Sequence, residues 1–203
     1  MAPKLREIRF AYNPLATIER KAFEHLPSLE DLDMAGNGPS TPGFEQTMKV
    51  LETNALAMTA AANFSFLSMG EWEYLESFNP GFITNIKPHI AIDFMDNNIN
   101  TIPEQSFREI FEIFSTSERF PINHPGHINF GRNPLLCDCS IKWIVENPQM
   151  LQVIDWPGAP SYARPTCTDG TLVVDLDIDI LNDFCPGDQE DSIIGGPDGA
   201  ITL

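Results

Sequence analysis

Four cysteines are the residues of this 203-residue chain whose type and spacing point most directly to a chemistry. Cys137 and Cys139 form a close pair, and Cys167 and Cys185 follow singly. An even number of cysteines within one segment can form a disulfide framework, which indicates an oxidising compartment. The alternative is a tetrahedral zinc site, but structural zinc sites generally use two close pairs of cysteines, whereas this sequence has one. The spacing therefore favours disulfides over zinc.

A second group of side chains could hold a cation on paper. Asp175, Asp177 and Asp179 alternate with apolar residues, and a row of carboxylates can in principle bind calcium. An EF-hand loop would need a glycine where Ile180 stands. The alternation instead predicts a strand with one face in water.

No side chains in the sequence form a recognisable catalytic motif. His124 and His127 are close enough to share a metal, but Pro125 and Gly126 between them exclude the helix that would align them. Walker loops, nucleophile elbows and H-E-x-x-H motifs do not occur. We therefore predict no catalytic residue, no metal and no cofactor, and a protein that is not an enzyme.

The charge balance restricts the partners. The formal net charge of -17, from 29 acidic and 12 basic residues, disfavours binding to nucleic acid or to an anionic membrane surface. The uncharged stretch 53–70 has the length of a membrane span, but its many polar residues argue against one. We expect no membrane span and a cationic or neutral protein partner.

The elements that position these residues follow from an internal repeat. Residues 5–13 and 29–37 both fit the template L-x-x-L-x-L-x-x-N of leucine-rich repeats, and their asparagines, Asn13 and Asn37, are 24 residues apart. The template recurs at Asn97 and Asn133. These four asparagines are expected to hydrogen-bond backbone groups that the bend after each strand leaves unpaired.

The repeats predict an α/β fold. It is a leucine-rich-repeat solenoid with a short-stranded parallel sheet on its concave side and an irregular or helical convex side. The repeats occupy 1–132 and are degenerate between 38 and 82, where the template is lost. Apolar spacing predicts a helix over 44–56, and the 36 residues between Asn97 and Asn133 predict an insertion around 111–121.

The segment from Asn133 to Trp143, N-P-L-L-C-D-C-S-I-K-W, resembles the cysteine-rich C-terminal flank of extracellular leucine-rich-repeat proteins. That flank would occupy 133–185 and cover the open apolar face of the last repeat. In that family the cysteines pair first to third and second to fourth, which here implies the disulfides Cys137–Cys167 and Cys139–Cys185. A short helix is predicted over 141–146, capped by Ser140 and ended by Pro148.

The segment running from Cys167 through Asp169-Gly170-Thr171 to Cys185 is similar to arthropod secreted repeat proteins of the Oplophorus-luciferin 2-monooxygenase non-catalytic subunit family. The broken middle, 38–82, departs from that pattern. The resemblance implies a repeat scaffold, and the predicted concave sheet leads us to expect a non-catalytic protein that binds another protein. The alternative that the resemblance implies is a stabilising, non-catalytic subunit of a secreted luciferase-like monooxygenase complex.

The ends of the chain and one glycosylation motif bear on location. The cysteines indicate an extracellular, secreted protein, yet three of the first seven residues are charged and no signal peptide is visible, so we expect an incomplete N-terminus. Asn63 is the candidate for glycosylation, in Asn63-Phe64-Ser65. The acidic segment 186–203 is predicted to be a disordered tail. A truncated chain without a stable fold remains a further alternative.

Aligning the repeats predicts the binding face. The positions between the template leucines would form two lateral rows facing another protein, whether the chain acts as a monomer or as a heteromeric subunit. The first row is Glu7, Asp31, Ala91 and His127, and the second is Arg9, Asp33, Asp93 and Asn129.

Overall fold

A five-stranded parallel sheet, here called the main sheet, organises the computed structural model, which describes residues 4–13, 15–36, 48–58, 63–116 and 126–185. Every neighbouring pair in it is parallel, so the chain crosses back after each strand. Within the described ranges, no helix is long and apolar enough to cross a membrane. The strands of the main sheet, in spatial order, are β1 (Glu7–Arg9), β2 (Asp31–Asp33), β5 (Phe66–Ser68), β8 (Ala91–Asp93) and β9 (His127–Asn129).

Each strand of the main sheet is three residues long and turns its central side chain toward the core. Because successive side chains of a strand alternate between faces, the first and third residues of each strand share the opposite face. Ile8 at the sheet edge is half-buried, while the other four central residues are almost completely buried. Those four are Leu32, Leu67, Ile92 and Ile128.

Two small parallel sheets lie on the return segments between strands of the main sheet. One pairs β3 (Val50–Leu51) with β6 (Ser77–Phe78), and the other pairs β4 (Leu56–Ala57) with β7 (Ile83–Thr84). The helix predicted over 44–56 is wrong from residue 48 onward, and residues 44–47 lie outside the described ranges. Asn54, with a φ of 61°, turns the backbone between β3 and β4 into the left-handed region, which a right-handed helix cannot accommodate.

The next return segment is helical. Helix α1 (Glu104–Thr116) buries Phe107, Ile110, Phe111 and Phe114, a spacing that places all four on one side of the helix. The predicted insertion at 111–121 therefore begins within this helix, and residues 117–121 lie outside the described part of the chain.

The C-terminal segment contains three short helices and is closed by two disulfides. Cys137 is bonded to Cys167, and Cys139 to Cys185, which is the pairing that the resemblance to the cysteine-rich flank implied. The disulfides hold the long connection from Cys139 to Cys185 against the start of the segment. The helices are α2 (Lys142–Val145), α3 (Pro148–Ile154) and α4 (Ile178–Phe184).

Two details of the predicted helix over 141–146 are wrong. The capping residue is Asp138, whose carboxylate accepts from the Ser140 backbone N–H at 2.9 Å, and a 3-10 turn over Cys139–Ile141 precedes α2. Pro148 begins α3 rather than ending a helix, because proline lacks only an N–H that the first turn does not use. Asn147 caps that helix by accepting from the Gln149 N–H.

The acidic alternation at 175–179 is a helix start rather than the predicted strand. Val173–Asp175 forms a 3-10 turn, and the Asp177 carboxylate caps α4 by accepting from the Asp179 N–H at 2.9 Å. Asp179 lies in the first turn of α4, where a negative charge is favoured by the helix dipole.

One apolar core joins the main sheet to the C-terminal segment. It contains residues from Phe23 to Val173 and is rich in phenylalanine; Phe94 and Phe130, which directly follow the neighbouring strands β8 and β9, have ring centroids 5.8 Å apart. Phe111 of α1 contacts the Trp143 ring at 4.9 Å, and the Trp143 indole N–H donates to the Ile102 carbonyl at 3.1 Å. The C-terminal segment is thus packed onto the last repeat, which it covers.

Candidate binding face

The outward-facing side chains of the main sheet form two rows, which together we call the binding face. Strand register places the first residue of each strand beside the first residue of its neighbours, and likewise for the third. All eight residues proposed from the sequence fall in these rows, and two more join them: Phe66, which is exposed, and Ser68, which is buried. The first row is Glu7, Asp31, Phe66, Ala91 and His127; the second is Arg9, Asp33, Ser68, Asp93 and Asn129.

Strand β5, which contributes Phe66 and Ser68, is the part of the face that sequence reasoning missed. Residues 64–72 fit the repeat template, with the apolar positions filled by Phe64, Leu67 and Met69, except that Trp72 stands where the asparagine should be. The completely buried Trp72 indole N–H donates to the Met34 carbonyl of the preceding repeat at 2.7 Å. The indole N–H of Trp72 therefore takes the place of the asparagine amide as the hydrogen-bond donor to the preceding repeat.

The template asparagines make the equivalent bond in later repeats. The buried Asn97 amide donates to the carbonyls of Met69 and Phe94, each at 2.9 Å, and its oxygen accepts from the Trp72 backbone N–H. Asn133 likewise donates to the Phe94 carbonyl at 2.8 Å. The predicted role of Asn97 and Asn133 is confirmed.

The other two template asparagines differ. Asn13 donates to the carbonyls of Phe10 and Ala11 at an exposed site. Asn37 lies outside the described residues.

The second row is held in place by turns that its own side chains close. The Asp33 carboxylate accepts from the Ala35 N–H at 3.1 Å, and the Asp93 carboxylate accepts from the Met95 N–H at 3.0 Å. The Asn129 side-chain oxygen accepts from the Gly131 N–H at 2.9 Å. Three of the five side chains in this row are therefore oriented by hydrogen bonds to their own turns.

Two carboxylates of the binding face, those of Asp31 and Asp93, have raised pKa values. Burial raises the pKa of Asp93 above its ordinary value, with a smaller contribution from Asp96, while the Met95 N–H opposes the increase. Burial also raises the pKa of Asp31, followed by repulsion from Glu7. One Asp31 oxygen is buried without a hydrogen-bond partner among the described residues.

Few positive charges lie near the aspartates of the binding face. Within the described ranges, no lysine or arginine is within ion-pair distance of Asp31, Asp33 or Asp93. Arg9, the cation within the two rows, is paired with Glu7, and its charge lowers the pKa of Asp31 by less than burial and Glu7 raise it. The carboxylates of Asp31, Asp33 and Asp93 therefore have no ion-pair partner among the described lysines and arginines.

Aromatic rings border the other end of the face. The His127 ring is stacked on Trp156 with centroids 4.1 Å apart, and Trp156 follows α3 in the C-terminal segment. Asp155, next to Trp156, accepts two hydrogen bonds from the Arg164 guanidinium, at 2.6 and 2.9 Å. The C-terminal segment therefore places the Trp156 ring against the last strand of the binding face.

The remaining candidate residues are placed as follows. Asn63 lies exposed in a turn before β5. His124 lies outside the described residues, so the pair with His127 is not placed. Among the described residues, no group of three or more metal-binding side chains occurs, and all four cysteines are in disulfides.

Comparisons with known proteins find repeat proteins of one type. The chain is 24% identical over 191 residues to the Oplophorus-luciferin 2-monooxygenase non-catalytic subunit of Oplophorus gracilirostris, covering 85% of this chain and 47% of that protein. It is 28% identical over 158 residues to the mouse leucine-rich repeat transmembrane protein FLRT2, covering 70% of this chain and 22% of that protein. The chain thus spans half or less of the curated relatives it matches.

Among solved structures, human 5T4, also named trophoblast glycoprotein, is 15% identical, with 86% of this chain and 77% of that chain covered at a TM-score of 0.38. No family model matches the chain.

Proposed function

This chain is a leucine-rich-repeat protein, and from that premise we propose that it is a non-catalytic, protein-binding scaffold of the extracellular type. The observation that carries the proposal is the unbroken register of five parallel strands, which aligns ten side chains in two rows. The repeats to residue 132 would form a solenoid whose concave side is the main sheet, and residues 133–185 would be its cap.

The binding face has the properties that such a scaffold requires. Binding demands complementary side chains on a rigid frame and no reactive group. The buried asparagines and Trp72 hydrogen-bond the backbone of the preceding repeat and so hold neighbouring repeats together. On the face itself, the side chains of Asp33, Asp93 and Asn129 are oriented by hydrogen bonds to their own turns. Little side-chain freedom would then be lost on binding, which favours affinity.

An extracellular location is supported by the two disulfides, since such bonds persist in oxidising compartments. A relative named as a transmembrane leucine-rich-repeat protein agrees with that location. We assign Asn63, exposed before β5, as the glycan acceptor. A glycan there would leave most of the binding face accessible, because Asn63 precedes the strand instead of lying within it.

Site-specific photo-crosslinking tests the scaffold proposal. A photoreactive amino acid is placed at Ala91, in the middle of the first row, and the protein is incubated with proteins secreted by the source tissue. The matched control carries the same amino acid at Glu109, an exposed position of α1 away from the face. We expect a discrete crosslinked protein from position 91 and none from 109.

Crosslinks of equal yield from both positions would mean that the face is not a specific surface. Their absence from position 91, with the folded chain intact, would reject the proposal.

The second candidate is a stabilising subunit of a secreted monooxygenase-like complex. It is favoured by the relative that is named a non-catalytic subunit, whose alignment covers 85% of this chain. In that case a partner with enzymatic activity would copurify with this chain in a fixed ratio. Light scattering after size exclusion, followed by mass spectrometry, measures that ratio, and a variable ratio argues for the scaffold alone.

A further inference from the structure

A small side chain lies between two rings in the first row of the binding face. Ala91 of β8 is flanked by Phe66 of β5 and His127 of β9. Neighbouring strands are about 4.8 Å apart, so the backbones carrying the two rings are separated by roughly 10 Å. The methyl group of Ala91 cannot fill that space, and we call the resulting gap the Ala91 notch.

Both walls of the notch present ring surface. Phe66 is 36% exposed although phenylalanine is usually buried, so its ring is available at the centre of the face. On the other side the His127 ring is backed by Trp156, with an angle of 29° between the two planes. This backing fixes the orientation of the His127 wall and extends it toward the C-terminal segment.

A carboxylate lies beside the notch. Asp93 follows Ala91 by two residues on the same strand and therefore points to the same face, about 7 Å farther along. It accepts hydrogen bonds from the Met95 N–H and from the Asn129 side chain, and no lysine or arginine of the described residues is within ion-pair distance. The turn orients the group and leaves its charge unneutralised.

We propose that the Ala91 notch receives an arginine side chain of the bound protein. A guanidinium group is flat, stacks on aromatic faces, and donates in-plane hydrogen bonds to a carboxylate, which matches two ring walls with Asp93 beside them. A lysine ammonium is compact and more strongly hydrated, so it would use the carboxylate and lose the stacking. The inference rests on the proposed function, because it specifies part of what the binding face recognises.

A short arginine peptide tests the notch without knowledge of the partner. The probe is acetyl-Gly-Arg-Gly-amide, titrated into the isotope-labelled full chain while the Trp156 indole N–H and the Ala91 methyl signals are followed by NMR. The comparison peptide carries citrulline, which has nearly the same shape as arginine and no charge. We expect saturable shifts of both signals with arginine and at least tenfold weaker binding of citrulline.

Three variants separate the notch from general attraction to an acidic protein. Asp93→Asn should weaken arginine binding by about tenfold, since a charge-assisted hydrogen bond becomes a neutral one. Glu109→Gln is the control: it removes one negative charge at an exposed position of α1, away from the binding face. It should change the affinity less than twofold. Ala91→Leu fills the notch at constant charge and should abolish the shift of the Trp156 indole N–H signal.

Several results would overturn the inference. They are equal binding of the citrulline peptide, equal weakening by Glu109→Gln and Asp93→Asn, or shifts centred away from Trp156 and Ala91. The citrulline comparison needs no variant, so it decides the question even if Ala91→Leu fails to fold. A protein crosslinked at position 91, combined with a notch that ignores arginine, would keep the scaffold and reject this site. Arginine binding without any crosslinked protein would reject the scaffold alone.

Discussion

At the scale of single residues, the same template position gives two environments that can be compared directly. Asn97 is buried and connects three backbone groups, whereas Asn13 bonds to two carbonyls at an exposed site. Replacing Asn97 by alanine should lower the free energy of unfolding by about 3 kcal/mol, because buried backbone groups are left without partners. Asn13→Ala should cost less than about 1 kcal/mol, because water replaces its bonds.

Urea denaturation of both variants measures the difference. Equal costs would show that the buried asparagine does not stabilise the repeat through these hydrogen bonds.

Asp93 shows how a binding face can reduce stability. Burial raises its pKa, so between the unfolded and folded pKa the folded chain holds more protons, and stability falls as pH rises through that interval. The cost grows as pH rises through that interval and is fully present above the folded pKa. Asp93→Asn keeps a side-chain oxygen for the Met95 N–H and removes the buried charge. The variant should therefore be more stable than the original chain at pH 7.

That gain should disappear as pH falls to the ordinary range of aspartate, where the unfolded state is protonated as well. Thermal unfolding of both proteins from pH 7 to pH 3 provides the measurement. A gain that persists unchanged at the lowest pH would locate its cause elsewhere.

At the scale of elements, the C-terminal disulfide attaches a helix that is too short to be stable alone. Helix α4 has seven residues, and it is held by the bond from Cys139 to Cys185 and by Lys142, which donates to the Cys185 carbonyl at 3.1 Å. Replacing both cysteines by serine frees a loop closed over a sequence separation of 46, which should cost about 4 kcal/mol. We expect the amides of α4 to lose protection from hydrogen exchange first.

The main sheet should keep its protection in that variant, because its strands do not depend on α4. Asp183→Ser, at an exposed position of the same helix, is the control and should leave exchange unchanged. Loss of protection throughout the chain would mean that the disulfide holds the whole fold and not one element.

What the sequence could predict depends on how local the determining interaction is. The lateral rows followed from counting along the template, since one residue per position and a parallel register fix them. Strand β5 was not predicted because Trp72 stands at the template position of the asparagine. Only its hydrogen bond to the Met34 carbonyl, 38 residues away, shows that Trp72 plays the role of that asparagine.

The helix expected over 44–56 failed for a similar reason. Its apolar spacing suits a helix as well as two short strands, and the partners β6 and β7, which decide between them, lie elsewhere in the chain. The acidic alternation at 175–179 does not form the predicted strand. It contains Asp177, the cap of α4, and that helix packs its buried Leu181 against the rest of the chain. The pairing of the cysteines was open from spacing alone, and the resemblance to a known flank supplied it.

At the scale of the whole molecule, charge opposes folding. The net charge of -17 creates repulsion in the compact state that is weaker in an extended chain. Raising the salt concentration from 0.01 M to 0.15 M shortens the screening length from about 30 Å to about 8 Å. Salt also weakens ion pairs, but those of this chain are largely exposed, such as Arg132 with Asp96 at 3.4 Å, and pairs of that kind contribute little.

Relief of repulsion should therefore exceed the loss of ion pairs, and the melting temperature should rise with salt. An increase on the order of 2 to 4 °C would correspond to about 1 kcal/mol for a chain of this size. Sodium chloride and potassium chloride at equal ionic strength should act alike if screening is the cause, which calorimetry can measure. A melting temperature that falls with salt would mean that attractive pairs, including those around the binding face, outweigh the repulsion of the acidic excess.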